Sequence, residues 1–247
     1  MGKSEKGPVL TRRRLLIGAA GLMGVAGAGL IAYPFINEAL YRGEVAALRE
    51  DFEKRAAGGE GADSSSGKRW IDVEGLYAYL RAENERLFAE GQKDLVDAFS
   101  YLQPAVDLSA WGIEDNIIGF LRVPAIDIDL PIRLGANNEQ MARGAVHLTQ
   151  TSYPIGGDNT NSVIAGHRAH SRGLSMFVHV PDLSTGDALY IDNFRETLSY
   201  RVVETDVIDP KATNRIRIQE GRDLVTLITC HPYGVNTHRF ILFAERA

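Results

Sequence analysis

Short apolar runs, separated by proline, glycine, asparagine and aspartate, dominate the chain from Ile117 onward. Short β-branched and apolar runs bounded by such turn residues are typical of strands, and a regular succession of them indicates an all-β barrel or sandwich. The pattern predicts strands at residues 117–123, 126–132, 161–166, 188–191, 198–207, 224–229 and 239–245.

One of these runs, Ile-Asp-Ile-Asp-Leu at residues 126–130, alternates strictly between apolar and acidic side chains. Because successive side chains of a strand point to opposite faces, Asp127 and Asp129 are predicted to face solvent. Two aspartates at this spacing also resemble half of a calcium site, but no matching acidic cluster occurs in the sequence. We therefore predict no metal site.

Helical spacing replaces this alternation in the first half of the chain. Residues 35–55 are predicted to form a charged helix, and the Gly, Ser and acidic residues of 58–67 a flexible linker. An amphipathic helix is predicted from Ile71 to about Glu90, because apolar residues recur there with a period near 3.6. These residues are Trp70, Val73, Leu76, Tyr77, Leu80, Leu87 and Phe88.

An uncharged run at residues 15–33 follows a basic segment, residues 1–14, and ends before Pro34. As a helix it would extend about 28 Å, roughly the thickness of the hydrocarbon core of a bilayer. We predict a single membrane span, with the basic segment in the cytoplasm and the rest outside. A cleaved signal peptide is the alternative, since Ala26-Gly27-Ala28 resembles a cleavage site. Residues 11–16 also resemble a twin-arginine export signal.

The composition is that of one main folded domain: 45% of the 247 residues are hydrophobic. The net charge is −5, although the first fourteen residues carry five basic side chains and one acidic one. The remaining part of the chain is therefore strongly acidic, which argues against a nucleic-acid partner.

The chain has a single cysteine, Cys230, so an intramolecular disulfide is excluded and the thiol is either buried and inert or reactive. It ends an apolar run that Pro232 and Gly234 interrupt, and a new run begins at Arg239. Two strands joined by a short loop would place Cys230 and Arg239 on neighbouring strands, near the same end. A thiol beside a guanidinium is a plausible reactive site.

A reactive cysteine needs a histidine for proton transfer, and the chain has six. His167 ends the apolar run 162–167, at a strand end where functional groups are commonly displayed; a structural or solvent-exposed role remains open. His231 and His238 adjoin Cys230 and Arg239, so their side chains should point to the opposite face. Three others lack a strand-end position: His147, His170 and His179.

The residues around the cysteine, Thr-Leu-Ile-Thr-Cys-His-Pro-Tyr-Gly-Val-Asn-Thr-His-Arg at 226–239, closely resemble the signature of the sortases, specifically the pilin-polymerising class C sortases of Gram-positive bacteria. Further segments match in order and spacing, and the resemblance covers about residues 80–246. They are Gly-Phe-Leu-Arg-Val-Pro at 119–124, Leu-Pro-Ile at 130–132, Thr-Ser-Tyr-Pro-Ile-Gly-Gly at 151–157 and Val-Ile-Ala-Gly-His-Arg at 163–168.

The resemblance implies a closed eight-stranded sortase-type β-barrel at residues 116–247, with short helices. A helical region at residues 34–115 and the membrane helix would precede it. It assigns His167, Cys230 and Arg239 as the catalytic set and requires neither cofactor nor metal. Thr229 and Gly166 would help to line the pocket.

Class C sortases also carry a lid, usually Asp-Pro-aromatic, ahead of the barrel. Asp97-Ala98-Phe99-Ser100 occupies the matching place, after Asn84, Leu87 and Gly91, with alanine instead of the proline. Asp97 would pair with Arg239, and Phe99 would cover the Cys230 sulfur. Alternatively, the segment prolongs a helix, because alanine no longer blocks one.

By resemblance, the protein is a membrane-anchored transpeptidase whose catalytic domain lies on the extracellular face. It would cleave a Leu-Pro-x-Thr-Gly-like signal through a Cys230 thioester and join pilin subunits by a lysine isopeptide bond. Many class C sortases have a second span after the barrel; here the chain ends at Ala247, so the amino-terminal segment would be the sole anchor. Two alternatives remain: a housekeeping-type sortase that attaches proteins to peptidoglycan, and a non-catalytic pilin-binding membrane module.

Overall fold

The computed structural model describes residues 12–58, 67–103, 106–168 and 176–247. Three helices lie in these ranges: α1 (Arg12–Ala57), α2 (Val73–Glu90) and the short α3 (Asn138–Met141). The strands are β1 (Ile117–Val123), β2 (Ile128–Leu134), β3 (Ala145–His147), β4 (Thr160–Ala165), β5 (Ala188–Asn193), β6 (Thr197–Ile208), β7 (Asp223–His231) and β8 (His238–Arg246).

Across the described residues, the eight strands close into one barrel in the order β1-β2-β3-β4-β7-β8-β6-β5, with β5 returning to β1. The pairs β2–β3 and β4–β7 are parallel, and the other neighbouring pairs are antiparallel. The predicted closed eight-stranded barrel is therefore confirmed. Closure leaves no open sheet edge, so every strand has two hydrogen-bonded neighbours.

Seven strands match the predicted apolar runs to within a few residues, but β3 was missed. Its three residues are too few to show an alternation, and it forms by pairing with β2 and β4. Strand β2 begins at Ile128 instead of residue 126, because residues 124–126 form a 3₁₀ turn that Asp127 ends with a φ of 54°.

Helix α1 continues through Pro34, so the charged helix predicted at residues 35–55 is present as the carboxyl part of one continuous helix. Proline removes one main-chain donor, but the turns on either side keep their own hydrogen bonds. Among the residues that the structure describes, no helix has the length and apolar character needed to cross a membrane. The span predicted at 15–33 stays a prediction.

The carboxyl half of α1 is held against the barrel by arginine side chains. Arg42 pairs with Asp127, and Arg49 pairs with Asp129 and, at 2.8 Å, with Asp192. Asp127 and Asp129 are exposed, as predicted, but they bind α1. No group of residues suited to a metal ion occurs in the described ranges. The first eleven residues, most of the predicted linker (59–66) and His170 lie outside the described residues.

Helix α2 begins at Val73, two residues after the predicted start, and ends at Glu90 as predicted. The Asp72 side chain accepts a hydrogen bond from the Gly75 amide at 3.0 Å, and Gly91 ends the helix with a φ of 72°. Its buried face includes Asn84, which exchanges two hydrogen bonds with the Tyr153 backbone, at 2.7 and 3.2 Å. Helix α2 is thereby fixed to the connection between β3 and β4.

His147, at the end of β3, is fully buried. Its Nε2 lies 2.9 Å from the Ser152 carbonyl oxygen, which only accepts, so Nε2 carries the proton and Nδ1 is bare. Nδ1 has no partner among the described residues. Burial lowers the pKa of His147 from 6.5 to about 4, because charging the ring would cost desolvation.

This shift predicts acid sensitivity of the fold. Between pH 6.5 and about 4 the unfolded chain binds a proton at His147 that the folded chain does not, so stability falls as the pH is lowered through this window. The expected loss in the free energy of unfolding is about 3 kcal/mol. Denaturant unfolding at pH 7 and pH 4 measures it. His147→Gln should flatten the dependence, whereas the exposed His179→Gln should leave it unchanged; equal slopes for all three proteins would contradict the assignment.

Candidate active site

Cys230 and Arg239 are direct partners in the antiparallel ladder of β7 and β8. The predicted placement on neighbouring strands is thus present in the structure. Ile228 and Ile241, two residues before and after them on the same faces, belong to a buried apolar cluster outside the main core. Cys230 and Arg239 therefore project from the side of the sheet that carries this cluster, which we call the site face.

The segment ahead of the barrel packs on the site face. Leu95 and Ala98 are buried in its cluster, and Phe99 and Tyr101 pack against it. Residues 98–100 form a single 3₁₀ turn, well separated from α2, which ends at Glu90. The segment therefore does not prolong a helix, and alanine in place of the family proline is fully buried. We call residues 97–100 the lid.

Asp97 of the lid forms a two-pronged ion pair with Arg239. Nε of Arg239 donates to Oδ1 at 2.9 Å, and Nη2 donates to Oδ2 at 2.8 Å. Only 9% of the arginine side chain and 16% of the aspartate side chain are exposed, so solvent screens the pair weakly. Nη1 also donates to the carbonyl oxygens of Asn236 and His238. With the lid in this position, the guanidinium is occupied.

The Phe99 ring is near two members of the predicted catalytic set, Arg239 and His167. Its ring centre is 4.8 Å from the guanidinium carbon of Arg239 and 6.1 Å from the centre of the His167 ring. The first distance is that of a cation–π contact. Coverage of the Cys230 sulfur by this ring stays a prediction.

His167 follows β4, whose last residue, Ala165, pairs with Ile228 of β7. The sequence-based position at a strand end is therefore correct. Its carbonyl oxygen accepts from the Phe177 amide at 3.0 Å. Burial lowers the pKa of His167, which favours the neutral imidazole that can take up a proton.

The Cys230 thiol is half-buried, and burial raises its pKa above the usual range. Arg239 lowers the pKa and Asp97 raises it again. With Asp97 paired to Arg239, the neutral thiol is therefore favoured over the nucleophilic thiolate. Tyr101, which the sequence analysis did not identify, lies near Cys230. Burial raises the pKa of the Tyr101 hydroxyl, and the charge of Cys230 raises it further.

Thr229 and Gly166 were predicted to line the pocket. The structure joins them directly, because the Thr229 hydroxyl donates to the Gly166 carbonyl at 2.8 Å and is fully buried. Thr229 precedes Cys230, so its side chain points to the opposite side from the site face. A pocket-lining role stays a prediction.

Gln150 was missed by the sequence analysis, although it holds the segment that bears the lid. Its Nε2 donates to the Asp94 carbonyl at 2.6 Å, and its Oε1 accepts from the Val96 amide at 3.1 Å and from Gln103 at 3.0 Å. Most of these partners are backbone groups, which leave no mark in the sequence. Gln92 adds a bond to the Gln150 carbonyl at 3.0 Å.

Removing the Gln150 side chain is expected to loosen the lid. Gln150→Ala loses contacts on both sides of Asp97, so the open state should gain population and thiol reagents should modify Cys230 about fivefold faster. Stopped-flow labelling measures the rate. Gln219→Ala is the control, since that side chain contacts Arg222 instead of the lid segment. Equal rates for the two variants would show that Gln150 does not hold the lid.

Comparison with known proteins agrees with the geometry. The model "Sortase domain" matches residues 121–247. A second, "Ubiquitinol-cytochrome C reductase Fe-S subunit TAT signal", matches residues 2–38. Sortase D of Bacillus subtilis is 28% identical over 131 residues, 52% of this chain and 63% of that protein. Sortase A of Listeria monocytogenes is 31% identical over 134 residues, 53% of this chain and 57% of that protein. The matches thus span less than two thirds of either relative.

Solved structures show the same fold. The pilus-related sortase C of Group B Streptococcus has 33% identity and a TM-score of 0.64, covering 71% of this chain and 89% of that one. Sortase C-1 of Actinomyces oris has 34% identity and a TM-score of 0.60, covering 70% and 98%. With a sortase model matching half of its residues, and with the barrel of these structures, the chain belongs to the sortase family.

Proposed function

We propose that the protein is a cysteine transpeptidase in which Cys230 is the nucleophile, His167 transfers the proton and Arg239 stabilises the developing oxyanion. The observation that carries the proposal is the direct pairing of Cys230 with Arg239 across β7 and β8. A guanidinium fixed beside a thiol can stabilise both the thiolate and a negative charge forming on a bound carbonyl. The position of His167, two residues after the end of β4, the strand parallel to β7, supports its role in proton transfer.

The reaction follows from these groups. His167 takes the thiol proton as the sulfur attacks the threonine carbonyl of a Leu-Pro-x-Thr-Gly-like signal, and the carbonyl oxygen becomes an oxyanion beside Arg239. When the intermediate collapses, the Thr–Gly bond breaks, His167 returns its proton to the departing glycine amine, and a thioester remains. An incoming amine then attacks the thioester and regenerates the thiol.

A neutral starting state fits the environment of these groups. Burial raises the pKa of Cys230 and lowers that of His167, so neither carries its charge readily at neutral pH. In the closed state Asp97 holds the guanidinium of Arg239. We propose that Asp97 and Phe99 form a lid that must open before substrate can bind. No residue of the proposed reaction requires a metal or cofactor.

We propose a pilin lysine as the incoming amine, which would make the product an isopeptide bond in a pilus. The similarity to the pilus-related sortase C of Group B Streptococcus and the lid on the site face support this acceptor. A peptidoglycan amine is the second candidate, because the sortases A and D are also similar. Cysteine, histidine and arginine together on one end of the sheet argue against a non-catalytic pilin-binding module.

We further propose that the protein is anchored by residues 15–33, with residues 1–14 in the cytoplasm and the barrel on the extracellular face. An uncharged run that follows a basic segment supports this orientation.

The test uses the full chain in detergent micelles with a Leu-Pro-x-Thr-Gly peptide and two competing amines, a lysine peptide from a pilin and a peptidoglycan stem peptide. Mass spectrometry should find the peptide up to threonine as a thioester on Cys230, and then a lysine-linked product. A thioester resolved only by the stem peptide would assign the housekeeping role instead. Absence of any thioester across a set of sorting signals would reject the transpeptidase.

A further inference from the structure

We propose that Thr229 and His231 are positioning residues that hold the strand end bearing His167 at a fixed place beside Cys230. They do so through two side-chain contacts, one on each side of the catalytic pair: Thr229 with Gly166, and His231 with Arg168. The proposal rests on the proposed function, because it assumes that His167 and Cys230 act together.

The backbone register explains why such contacts are needed. In the parallel ladder, Ala165 is the last residue of β4 and is the partner of Ile228, while β7 continues to His231. One further backbone bond, from the Gly166 amide to the Ile228 carbonyl, spans 3.2 Å. Continuing the register would set His167 opposite Cys230. The regular ladder therefore stops just before the two residues whose relative position matters most.

On the amino-terminal side of His167 and Cys230, the Thr229 hydroxyl takes the place of the backbone hydrogen bond that a continued ladder would make. It donates to the Gly166 carbonyl at 2.8 Å from a fully buried position. This carbonyl belongs to the same rigid peptide unit as the His167 amide, so holding it fixes the plane from which His167 emerges. Phe177 packs closely against Gly166, since a Cβ added at Gly166 would lie 2.8 Å from the Phe177 ring.

After the catalytic pair, Arg168 and His231 form the second contact, with Arg168 Nη1 at 3.0 Å from His231 Nδ1. Because a guanidinium only donates hydrogen bonds, Nδ1 must be the acceptor and carries no proton. The sequence analysis rejected His231 as the catalytic histidine because its side chain should point away from the thiol. In the structure, Arg168, the neighbour of His167, holds His231 on that opposite face. Its ring also lies 6.4 Å from that of Phe240, the cross-strand partner of Thr229.

Neither contact involves the thiol or the imidazole of His167, so both act through geometry. Small displacements of a proton-transfer group reduce the rate steeply, while substrate binding on the site face is affected less. Loss of either contact should therefore lower kcat and leave KM nearly unchanged. The conservative replacements that keep the contact should restore most of kcat.

The test compares Thr229→Val, which keeps the shape but loses the hydroxyl, with Thr229→Ser, which keeps the hydroxyl. We expect a fall in kcat of about 30-fold for valine and less than about threefold for serine, with KM within about twofold in both. At the second contact, His231→Leu should lose about tenfold in kcat, and His231→Asn, which can still accept from Arg168, should retain more. Thr205→Val, at an exposed position of β6, is the control for threonine replacement.

A second readout does not depend on catalysis. Hydrogen exchange of the Gly166 and Phe177 amides, which bond to Ile228 and His167, should quicken about tenfold in Thr229→Val but not in Thr229→Ser, with the Val163 amide as reference. If wild-type enzyme forms no thioester, the proposed function fails, and the exchange result alone decides the positioning role. Wild-type kcat in Thr229→Val, or equal losses in valine and serine variants, overturns the proposal, as does unchanged exchange.

Discussion

Cys230→Ala is expected to abolish thioester formation and to lower transpeptidation by about 10⁴-fold or more, because the chain contains no other thiol to form the acyl intermediate. Cys230 lies at the end of β7 and is only half-buried, so alanine should leave the barrel intact. The measurement is product formation from a Leu-Pro-x-Thr-Gly peptide and an amine, with intact-mass spectrometry of the enzyme.

Two controls make this outcome specific. The melting temperature of Cys230→Ala should remain close to that of the wild type, which separates lost chemistry from lost folding. Cys230→Ser keeps the size of the side chain, but its hydroxyl is a much weaker nucleophile than a thiolate, so its activity should also be very low. Product formation by the alanine variant at more than a few per cent of the wild-type rate would exclude Cys230 as the nucleophile.

Asp97→Ala is expected to raise the rate at which a thiol reagent modifies Cys230 by about 30-fold. The variant removes both hydrogen bonds to Arg239 and leaves a weakly exposed guanidinium without its counter-charge in the closed state. A loss of about 2 kcal/mol in the closed state would increase the open population by this factor. Asp97 also raises the pKa of Cys230, so its removal should increase the thiolate fraction as well.

The two contributions can be separated by labelling across a range of pH. A shift of the labelling profile to lower pH reports the thiol pKa, whereas a higher plateau at alkaline pH reports lid opening. Asp94→Ala is the matched control, because Asp94 contributes its backbone carbonyl to the lid contacts. Plateau rates that agree within twofold among wild type, Asp97→Ala and Asp94→Ala would show that the ion pair does not keep the lid closed.

The conformation of the lid could not be predicted from the family motif alone, because the motif is incomplete in this chain. The family proline is replaced by Ala98, so the sequence predicts a lid by resemblance but leaves a longer helix as the alternative, because alanine favours a helix. Two features outside residues 98–100 determine the conformation of the lid. Gly91 ends α2 in a left-handed conformation, and Asp97 pairs with Arg239, 142 positions further along the chain. Local propensity cannot report a contact of that separation. Ala98 then fits because the site-face cluster buries it completely.

The ion pairs between α1 and the barrel show the same limit of local sequence patterns. The alternation at residues 126–130 predicts that Asp127 and Asp129 face solvent, and both are exposed. Only Asp129 lies in a strand, where the period of two is a local property, whereas Asp127 ends the 3₁₀ turn before β2. Nothing local could indicate that arginines from α1 would reach them. The strand β3 was missed for the same reason: its three residues are ordered by their neighbours.

The sequence by itself determined the parts of this protein that depend on short-range order. These are the apolar runs of seven strands, the helical period of α2, the strand-end positions of Cys230 and His167, and the pairing of Cys230 with Arg239 through a short loop. Only the tertiary structure decided how the site is completed. The Asp97–Arg239 pair was expected from the family resemblance alone, and no local pattern indicated Gln150 under the lid or Thr229 and His231 against the strand end that bears His167. All of these contacts join residues 47 or more positions apart. Such contacts form when the barrel closes, because closure brings together groups whose spacing along the chain carries no information about their distance in space.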